Sequence, residues 1–454
     1  MLYIKLSTVV LLIVFFTSCA SKKIEVVTDE KIVVDKPIEL KILTREMGEK
    51  IVKEEKVEVK ATNLRESEFL NILEHDTYAS LCSSKSEYER VMLMPESLKK
   101  QQLVENLLLK YAQNLANGCI NIKDMQRKIA KNRANKIKSS FKTYTQKVDK
   151  KKILEQYRSK QITLKKILEP YVPKHPDYFR FVGFLNDTTL SKQERHKLRL
   201  NIERLKLMKP YESTNFIQLN IPAYSFDFYE NNIKSMSFGT VVGDLEDQTP
   251  VLSSKLSYFI MNPAWNIPDS IAKKTIIPRM LKDKKYLSKK GIVIHKNYNL
   301  SSKKFRQKDV KWDKYLKESV RYIPYKFIQM PSKTNGMGRV KFIFPNEYAV
   351  YMHDTIGTWR FKSPKQSIRA VSHGCVRLEN PLALIKYIST HYTKKSYDTV
   401  KRDYDSQKMK TVSLSKKLPV HITYITAYID KEKKLQFYKD LYGYDSMQKL
   451  NFSL

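Results

Sequence analysis

The sequence predicts an α+β protein in which a helical scaffold over residues 62–212 precedes a mainly β domain over residues 213–445. Residues 97–115, "SLKKQQLVENLLLKYAQNL", repeat apolar side chains at helical spacing. From about Asn215 the pattern changes to the alternation that is typical of strands. A lysine-rich stretch over about 269–335 interrupts this alternation, so we expect an inserted subdomain that is mostly helical or irregular.

The individual elements follow from local patterns in the same order. "DMQRKIAKNRANKIKSSFKTYTQKV" and "KKILEQYRSKQITLKKILEPYV" are basic and amphipathic, which predicts helices whose charged faces contact solvent. "LSKQERHKLRLNIERLKLM" predicts one more helix. "FIQLNIPAYSFDFYENNIKSMSFGTVVG" predicts strands joined by a hairpin turn at Asn231-Asn232. "RVKFIFPN", "YAVYMHD" and "PVHITYITAYID" predict further strands after the insertion. Together these patterns give the helical scaffold first and the strands second.

The chain is strongly basic, with 84 Lys and Arg against 47 Asp and Glu and a formal net charge of +37. Such a charge fits nucleic acid, an anionic envelope polymer or membrane, or a lysine-rich surface without a specific partner. The cations are dispersed, and no zinc-finger spacing or RNA-binding signature is found in the sequence. We therefore favour solvated faces, with an anionic envelope partner second and nucleic acid last.

The first nineteen residues have the order of a secretory signal: Lys5, an apolar run from Leu6 to Phe16, small residues, and Cys19. This order resembles the lipobox of bacterial lipoproteins, although Phe16 departs from the usual leucine. The resemblance implies cleavage before Cys19 and lipid on its sulfur, and residues 20–61 are expected to be a charged tether. We expect a protein anchored at the periplasmic side of the cell envelope, at the outer membrane; the alternative is a plain signal peptide.

Four cysteines occur in the chain, and lipidation would use one. Cys82 and Cys119 lie in the same helical region, where an oxidising compartment would let them pair across 37 residues. Two buried thiols are the equally weighted alternative. Cys375 remains without a partner in sequence. An unpaired thiol in an oxidising compartment is a liability, so we expect Cys375 to have a chemical role.

Cys375 lies in "VSHGCVRLENP". Asn380 and Pro381 predict the start of a helix, so the cysteine is expected on a tight turn between an extended segment and that helix. Gly374 allows backbone geometry that other residues avoid. The amides of such a turn can converge on one point, as an oxyanion requires.

A cysteine nucleophile needs a base and an electropositive setting. His373 and His353 are the candidate bases, and we favour His353, because a residue on a separate strand can be aimed at the sulfur. Ser372 or a backbone carbonyl is a candidate for orienting the imidazole. Arg377 would add positive charge and bind a substrate carboxylate. A metal site is disfavoured, since no fourth ligand has a telling spacing.

These motifs resemble the signature of YkuD-type L,D-transpeptidases, in which a histidine is followed by Ser-His-Gly-Cys. The matching stretches are "HDT" at residues 353–355 and "SHGCVRLENP" at residues 372–381. "TPVLSSKLSYFIMNPAWNIPDSIA", "NGMGRVKFIFPN" and "PVHITYITAYID" are similar to the larger YcbB-like branch. The resemblance covers roughly residues 180–445 and implies an α+β build with a capping insertion.

The resemblance implies a reaction as well as a fold. Cys375 would attack the carbonyl of the third residue of a peptidoglycan stem tetrapeptide, with His353 as base, and would expel D-Ala. The thioester would pass to an amine of a second stem, giving a 3→3 cross-link without any cofactor. Carbapenems would acylate the same sulfur. The family pattern assigns the oxyanion pocket and the substrate contacts to residues near the motif: His373, Gly374 and the Cys375 amide for the oxyanion, and Arg377, Ser372 and Tyr351 for the substrate.

Two other functions fit the sequence. The same fold could be an L,D-carboxypeptidase that uses water as acceptor, because the acyl-enzyme is shared. A non-catalytic wall-binding lipoprotein is the alternative from another class. Relatives of this branch carry a glycine-containing peptidoglycan-binding module, but no glycine occurs between Ile120 and Val182. The basic helices are therefore the candidate wall-binding surface.

Overall fold

The computed structural model describes residues 64–131, 141–320, 322–363 and 366–452. The chain divides into two compact units, of which the first ends at Asn71 and the second is Ile72–Leu454. Within the first unit, residues 64–71 are helical. The predicted signal segment, Cys19 and the tether lie outside the described residues. In the described ranges, no helix combines the length and the apolar character needed to cross a membrane.

The second unit begins with helices, as the sequence predicts, although residues 142–148, which were also expected to be helical, form no helix. Their bounds are α1 Lys85–Met92, α2 Leu98–Asn117, α3 Ile122–Lys131, α4 Lys150–Ser159, α5 Leu164–Leu168, α6 Tyr178–Phe184 and α7 Lys192–Lys206. The Ser97 side chain caps α2 by accepting from the Lys100 N–H. Ser191 and Glu194 form a capping box at the start of α7. Side-chain caps satisfy amides that a helix start leaves without partners, which fixes where these helices begin.

The helix α7 buries charged side chains, whereas the dispersed charges of the chain were expected on solvated faces. Arg199, Glu203 and Lys206 are buried, and Glu203 accepts from Arg199 at 2.9 Å and from Lys206 at 3.0 Å. The structure joins Cys82 to Cys119 in a disulfide beside this cluster. The Cys119 N–H donates to Glu203 at 2.6 Å. Burial is tolerated because each charge has an opposite partner.

The β domain is built on one sheet that closes on itself. Its strands are β1 Phe216–Asn220, β2 Ser225–Glu230, β3 Ile233–Gly243, β4 Leu252–Met261, β9 Val340–Ile343, β10 Met352–His353, β11 Ala370–Ser372, β12 Val376–Leu378 and β13 Lys410–Thr423. In the described residues their order is β11-β3-β12-β10-β9-β4-β13-β1-β2, and β3 also pairs with β2. The β2–β3 hairpin turns at Asn231 (φ 50°) and Asn232 (φ 63°), as predicted. This pairing joins the two ends of the sheet.

Between β4 and β9 lies the insertion, which contains its own sheet. Its strands are β5 Trp265–Ile267, β6 Ile292–His295, β7 Lys304–Phe305 and β8 Lys326–Gln329, in the order β5-β8-β6-β7, with α8 Ile277–Lys282 and α9 Tyr286–Lys289 among them. A separate apolar core that includes Ile276, Trp312 and Phe327 holds these elements together. The expectation of a mostly helical or irregular insertion missed the sheet, because strands of two to four residues among many lysines leave little alternation to detect.

The chain ends with α10 Trp359–Lys362, α11 Pro381–Tyr392, α12 Tyr397–Asp405, the hairpin β14 Ala427–Ile429 and β15 Leu435–Phe437, and α13 Tyr444–Met447. The Asn380 side chain accepts from the Ala383 N–H, and Pro381 occupies the first turn of α11. The helix therefore starts where the sequence predicts. The α+β class is confirmed: a helical region precedes a mainly β domain.

Candidate functional site

The candidate active site lies on the face of the central sheet that points away from its core. On β10, Met352 is fully buried in the core, so its neighbour His353 points to the opposite face. On β12, Val376 is in the core, so Arg377 points away from it. The parallel pairing sets Met352 opposite Val376 and His353 opposite Arg377. His353 and Arg377 therefore lie side by side on one face.

The same alternation places Tyr351 and Cys375 on that face, because each is two residues before His353 or Arg377 on its own chain segment. The Val376 N–H donates to the Tyr351 carbonyl at 3.0 Å, which extends the pairing to this level. Cys375 is half-buried and unpaired. The structure thus brings together four of the residues predicted from the sequence: Tyr351, His353, Cys375 and Arg377.

The turn that carries Cys375 is fixed by hydrogen bonds within it. Gly374 has φ 100°, a conformation that a residue with a side chain rarely adopts. The Ser372 hydroxyl donates to the Cys375 carbonyl at 2.6 Å and accepts from the Gly374 N–H at 3.2 Å. The Thr249 hydroxyl donates to the Gly374 carbonyl at 2.9 Å. The nucleophile is therefore held by a rigid turn.

These hydrogen bonds show which polar groups of the turn hold its conformation and which are available to a substrate. Ser372 is 0% exposed and both of its bonds stay inside the turn, so its hydroxyl holds the turn, and its contact with substrate stays a prediction. Gly374 uses its N–H in the same way. Within the described ranges the Cys375 N–H has no acceptor. This amide is available to donate a hydrogen bond to an oxyanion. The His373 side chain is exposed to solvent.

Hydrogen bonds to backbone carbonyls orient His353. Its Nδ1 lies 2.6 Å from the Asp354 carbonyl oxygen and 3.3 Å from that of Met337. A carbonyl only accepts, so Nδ1 carries the proton and Nε2 keeps a free lone pair. Burial, with the charge of Arg377, lowers the pKa of His353 to about 3. The imidazole is therefore a neutral proton acceptor, oriented by the backbone rather than by Ser372.

Asp354 has a structural role. Its carboxylate accepts from the Arg339 N–H at 2.8 Å and from the Thr355 N–H at 2.7 Å. Gly338 has φ 65°, and a Cβ there would lie 2.6 Å from the Asp354 side chain. Glycine is required at 338 because the Asp354 side chain packs against its backbone. This contact fixes the segment that includes Met337, a partner of His353.

The thiol of Cys375 is neutral in the resting site. Burial raises its pKa, while hydrogen bonding by Tyr351 and the charges of Lys341 and Arg377 act in the opposite direction without cancelling the rise. Because the imidazole and the thiol on this face are both neutral, the thiol proton must move during the reaction. The site is therefore arranged for general-base catalysis rather than for a preformed thiolate–imidazolium pair.

Lys341 is a site residue that the sequence reasoning missed. It lies on β9 opposite His353, between the core residues Val340 and Phe342. Its Nζ lies 3.6 Å from the centroid of the Tyr351 ring. Burial lowers the pKa of Lys341, and the nearby Cys375 acts against that. The signal was present, because strand alternation in "RVKFIF" turns Lys341 away from the core.

Arg377 is the second cation on this face. Burial and the nearby charge of Arg360 lower the pKa of its guanidinium. Its Nε is buried and has no hydrogen-bond partner in the part of the chain that the structure describes. An unpaired guanidinium nitrogen beside the nucleophile is suited to bind a substrate oxygen.

The insertion reaches this face. Tyr298, in the loop between β6 and β7, donates to the Ile267 carbonyl at 2.7 Å. Tyr298 also lies close enough to Tyr351 to add to the rise in its pKa that burial causes. Tyr351 is therefore bordered by Lys341 on one side and by the insertion on another. In the described ranges, the cluster of metal-ligating residue types is Cys82, Cys119 and Glu203 in the helical region, and its two sulfurs are joined in the disulfide.

The part of the chain that contains this site is similar to known proteins. Residues 214–401 match the family model described as YkuD, the L,D-transpeptidase catalytic domain. The matched range contains both His353 and Cys375 and ends within α12. A Haemophilus influenzae protein named "Putative L,D-transpeptidase" is 28% identical over 266 residues, which are 57% of this chain and 50% of that protein. The chain thus spans about half the length of this curated relative.

Two solved structures also align with the chain. An L,D-transpeptidase from Mycobacterium smegmatis aligns with a TM-score of 0.20 and 14% identity, over 46% of this chain and 58% of that one. The structure titled "Structure of the Ldtfm-avibactam carbamoyl enzyme" aligns with a TM-score of 0.19 and 10% identity, over 47% and 51% of the two chains. These TM-scores are too low to bear on the fold or the function of this chain.

Proposed function

We propose that the YkuD-type L,D-transpeptidase domain over residues 214–401 makes this chain an enzyme that forms 3→3 cross-links between peptidoglycan stems. One observation carries the proposal. His353 and Cys375 lie on one face of adjacent chain segments, and the backbone fixes the imidazole in the tautomer that accepts a proton at Nε2. This is the geometry that an acyl transfer through cysteine requires.

In the acylation step, the Cys375 sulfur attacks the carbonyl carbon of the third residue of a stem tetrapeptide. His353 Nε2 takes the thiol proton, and the carbonyl oxygen becomes an oxyanion that the Cys375 N–H stabilises. The C–N bond to D-Ala then breaks, and His353 returns the proton to the leaving amine. A thioester and free D-Ala are the products.

The surrounding cations support this sequence of proton transfers. Lys341 and Arg377 favour a negative sulfur and disfavour a charged imidazole. An imidazolium that forms there gives up its proton readily, which favours departure of the amine. In the second step an amine of another stem attacks the thioester and His353 takes its proton. The C–S bond breaks, and His353 returns that proton to the leaving sulfur. A 3→3 amide bond is formed.

Product analysis tests the proposal. The purified chain is incubated with sacculi rich in tetrapeptide stems, and muramidase fragments are separated by mass spectrometry. The account predicts 3→3 dimers, and none with Cys375→Ala. Trimmed tripeptides alone would show that water is the acceptor and that the chain is an L,D-carboxypeptidase. Wild-type digests identical to those of Cys375→Ala would refute both activities and favour a wall-binding lipoprotein.

We also propose that lipid on Cys19 holds the enzyme at the periplasmic side of the envelope, with the insertion as a cap over the substrate. The signal-like order before Cys19 supports the anchor, and the position of Tyr298 near Tyr351 supports the cap. Cys19→Ala should move the chain from the membrane fraction to the soluble periplasmic fraction. Retention of the variant in membranes would refute the lipid anchor.

A further inference from the structure

The ammonium of Lys341, which the proposed reaction uses only through its charge, has no assigned contact with the substrate. It lies on the site face, is half-buried, and contacts the ring of Tyr351 at 3.6 Å from Nζ to the centroid. Among the residues that the structure describes, no carboxylate lies within ion-pair distance of it. A cation in this position lacks the anionic partner that partial burial favours.

Other lysines on strands of this protein do have such partners. Lys326, on β8, pairs with Asp269 at 2.7 Å, and Lys234, on β3, pairs with Asp227 at 3.1 Å. Lys255, on β4, pairs with Glu212. Among the partly buried strand lysines that the structure describes, Lys255 and Lys326 therefore have a carboxylate beside them and Lys341 does not. Keeping a half-buried ammonium unpaired costs stability, and such a charge is suited to an anion that arrives with the substrate.

The sheet order sets where that anion must lie. The strands β9, β10 and β12 are consecutive neighbours, with Lys341 opposite His353 and His353 opposite Arg377. Neighbouring strands are about 4.8 Å apart, so the Cα atoms of Lys341 and Arg377 are about 10 Å apart. Two cations therefore flank His353. Arg377 lies on β12, the strand that follows Cys375, and Lys341 lies on β9, on the other side of β10.

A stem tetrapeptide can offer two carboxylates to such a pair. The carboxylate of the terminal D-Ala is three bonds from the scissile carbonyl carbon and fits Arg377, which is two residues beyond Cys375. If the third residue is a diamino diacid, its second carboxylate lies at the end of a side chain, six bonds from that carbon. The longer arm can reach Lys341, which lies on the other side of His353 from Arg377.

We propose that Lys341 binds the free carboxylate at the side-chain end of the donor's third residue, and so selects stems built on a diamino diacid. This rests on the proposed function and names its donor. Donors that have lysine at the third position, or an amidated side-chain carboxylate, leave Lys341 without a partner. Those donors would bind more weakly, because the Lys341 ammonium would stay half-buried without an anionic partner in the complex.

The test compares two synthetic tetrapeptides, one with a free side-chain carboxylate on its diaminopimelate residue and one with that group amidated. The full chain is used, and kcat/KM is measured from D-Ala release. Wild type is expected to prefer the free carboxylate by about 10- to 100-fold, as the loss of one charged hydrogen bond implies. Lys341→Met should reduce this preference to less than about threefold, and Lys341→Arg should keep most of it.

The ratio of kcat/KM for the two donors reports only how the side-chain carboxylate is recognised. A change in thiol reactivity or in the folded fraction alters both rates by the same factor and cancels in the ratio. Lys255→Met is the matched control, since it removes a strand lysine that already has a carboxylate partner, and its ratio should equal that of wild type.

Three results would overturn the inference. Equal kcat/KM for both donors in wild type, with acyl-enzyme formed from each, would refute the role of Lys341 and leave the proposed function intact. An unchanged preference in Lys341→Met would do the same. Absence of acyl-enzyme from either donor, in folded wild type, would refute the proposed function itself and the inference with it.

Discussion

Mild acid should destabilise this protein strongly, because histidines are buried in it in their neutral form. Burial lowers the pKa of His353 to about 3 and that of His421 to about 3. The Nδ1 of His421 lies 2.8 Å from the Ser253 hydroxyl, and its Nε2 is buried without a partner in the described residues. Burial therefore disfavours the protonated form of both rings in the folded protein.

The direction and the magnitude of this pH dependence follow from the difference in proton binding between the unfolded and the folded chain. In the unfolded chain a histidine has a pKa of about 6.5, so below that pH the unfolded state binds protons that the folded state does not. Stability is therefore lost as the pH falls from about 6.5 towards 3. Each pH unit in this range costs about 1.4 kcal/mol for each histidine. At pH 5 the cost is about 2 kcal/mol for one ring and about 4 kcal/mol for both.

The pH range separates this effect from that of carboxylates. Glu212, whose pKa is lowered to about 2 by its lysine partners, affects stability only below its ordinary value. His175, whose pKa burial also lowers, acts in the same direction as the other two rings. A loss of about 4 kcal/mol is a large share of the 5 to 15 kcal/mol that holds a typical domain folded.

The assay is urea unfolding followed by circular dichroism at pH 7.5, 6.5, 5.8 and 5.0 and constant ionic strength. The free energy of unfolding should fall by about 4 kcal/mol or more across this series. In His421→Gln the fall should be smaller by about 2 kcal/mol, since one titrating ring is gone. Ser253→Ala keeps the ring and should keep the slope. Stability that is flat between pH 7.5 and 5, or a wild-type slope in His421→Gln, would refute the reasoning.

Three further predictions concern the turn, the thiol and the disulfide. Alkylation of Cys375 by iodoacetamide should keep accelerating above pH 8, because burial raises the pKa of the thiol; a rate that levels off below pH 7 would indicate a preformed thiolate. Replacing Cys82 and Cys119 by serine should lower the free energy of unfolding by roughly 3–4 kcal/mol in urea titrations, and an unchanged midpoint would contradict this. Gly374→Ala should cost about 1–3 kcal/mol and most activity, because its φ is 100° although the new Cβ has room, whereas Gly183→Ala in α6, which also has room, should not destabilise.

The local pattern around the nucleophile was enough to predict much of the site. Asn380 and Pro381 start a helix as expected, and Gly374 makes the expected turn. The placement of His353 beside that turn was inferred from a strand-like run ending at the histidine. These features depend on a few neighbouring residues, which is why one sequence suffices for them.

Other features depend on which strands become neighbours. Lys341 lies next to the site only because β9 pairs with β10, and a lysine at an alternating position in a strand otherwise indicates a solvent-facing side chain. The buried charges of α7 were missed for a related reason. Arg199 and Glu203 satisfy each other inside the protein, and a helical pattern cannot show whether a charged face meets water or an opposite charge.

The direct test of the central claim is the intact mass of the folded chain during reaction with a tetrapeptide donor, and then with a carbapenem such as meropenem. The account predicts a covalent adduct that corresponds to the donor without D-Ala, a second adduct with the carbapenem, and neither with Cys375→Ala. His353→Gln should form the donor adduct far more slowly. Absence of both adducts on folded wild type, or equal adducts on Cys375→Ala, would contradict the assignment of Cys375 as the nucleophile.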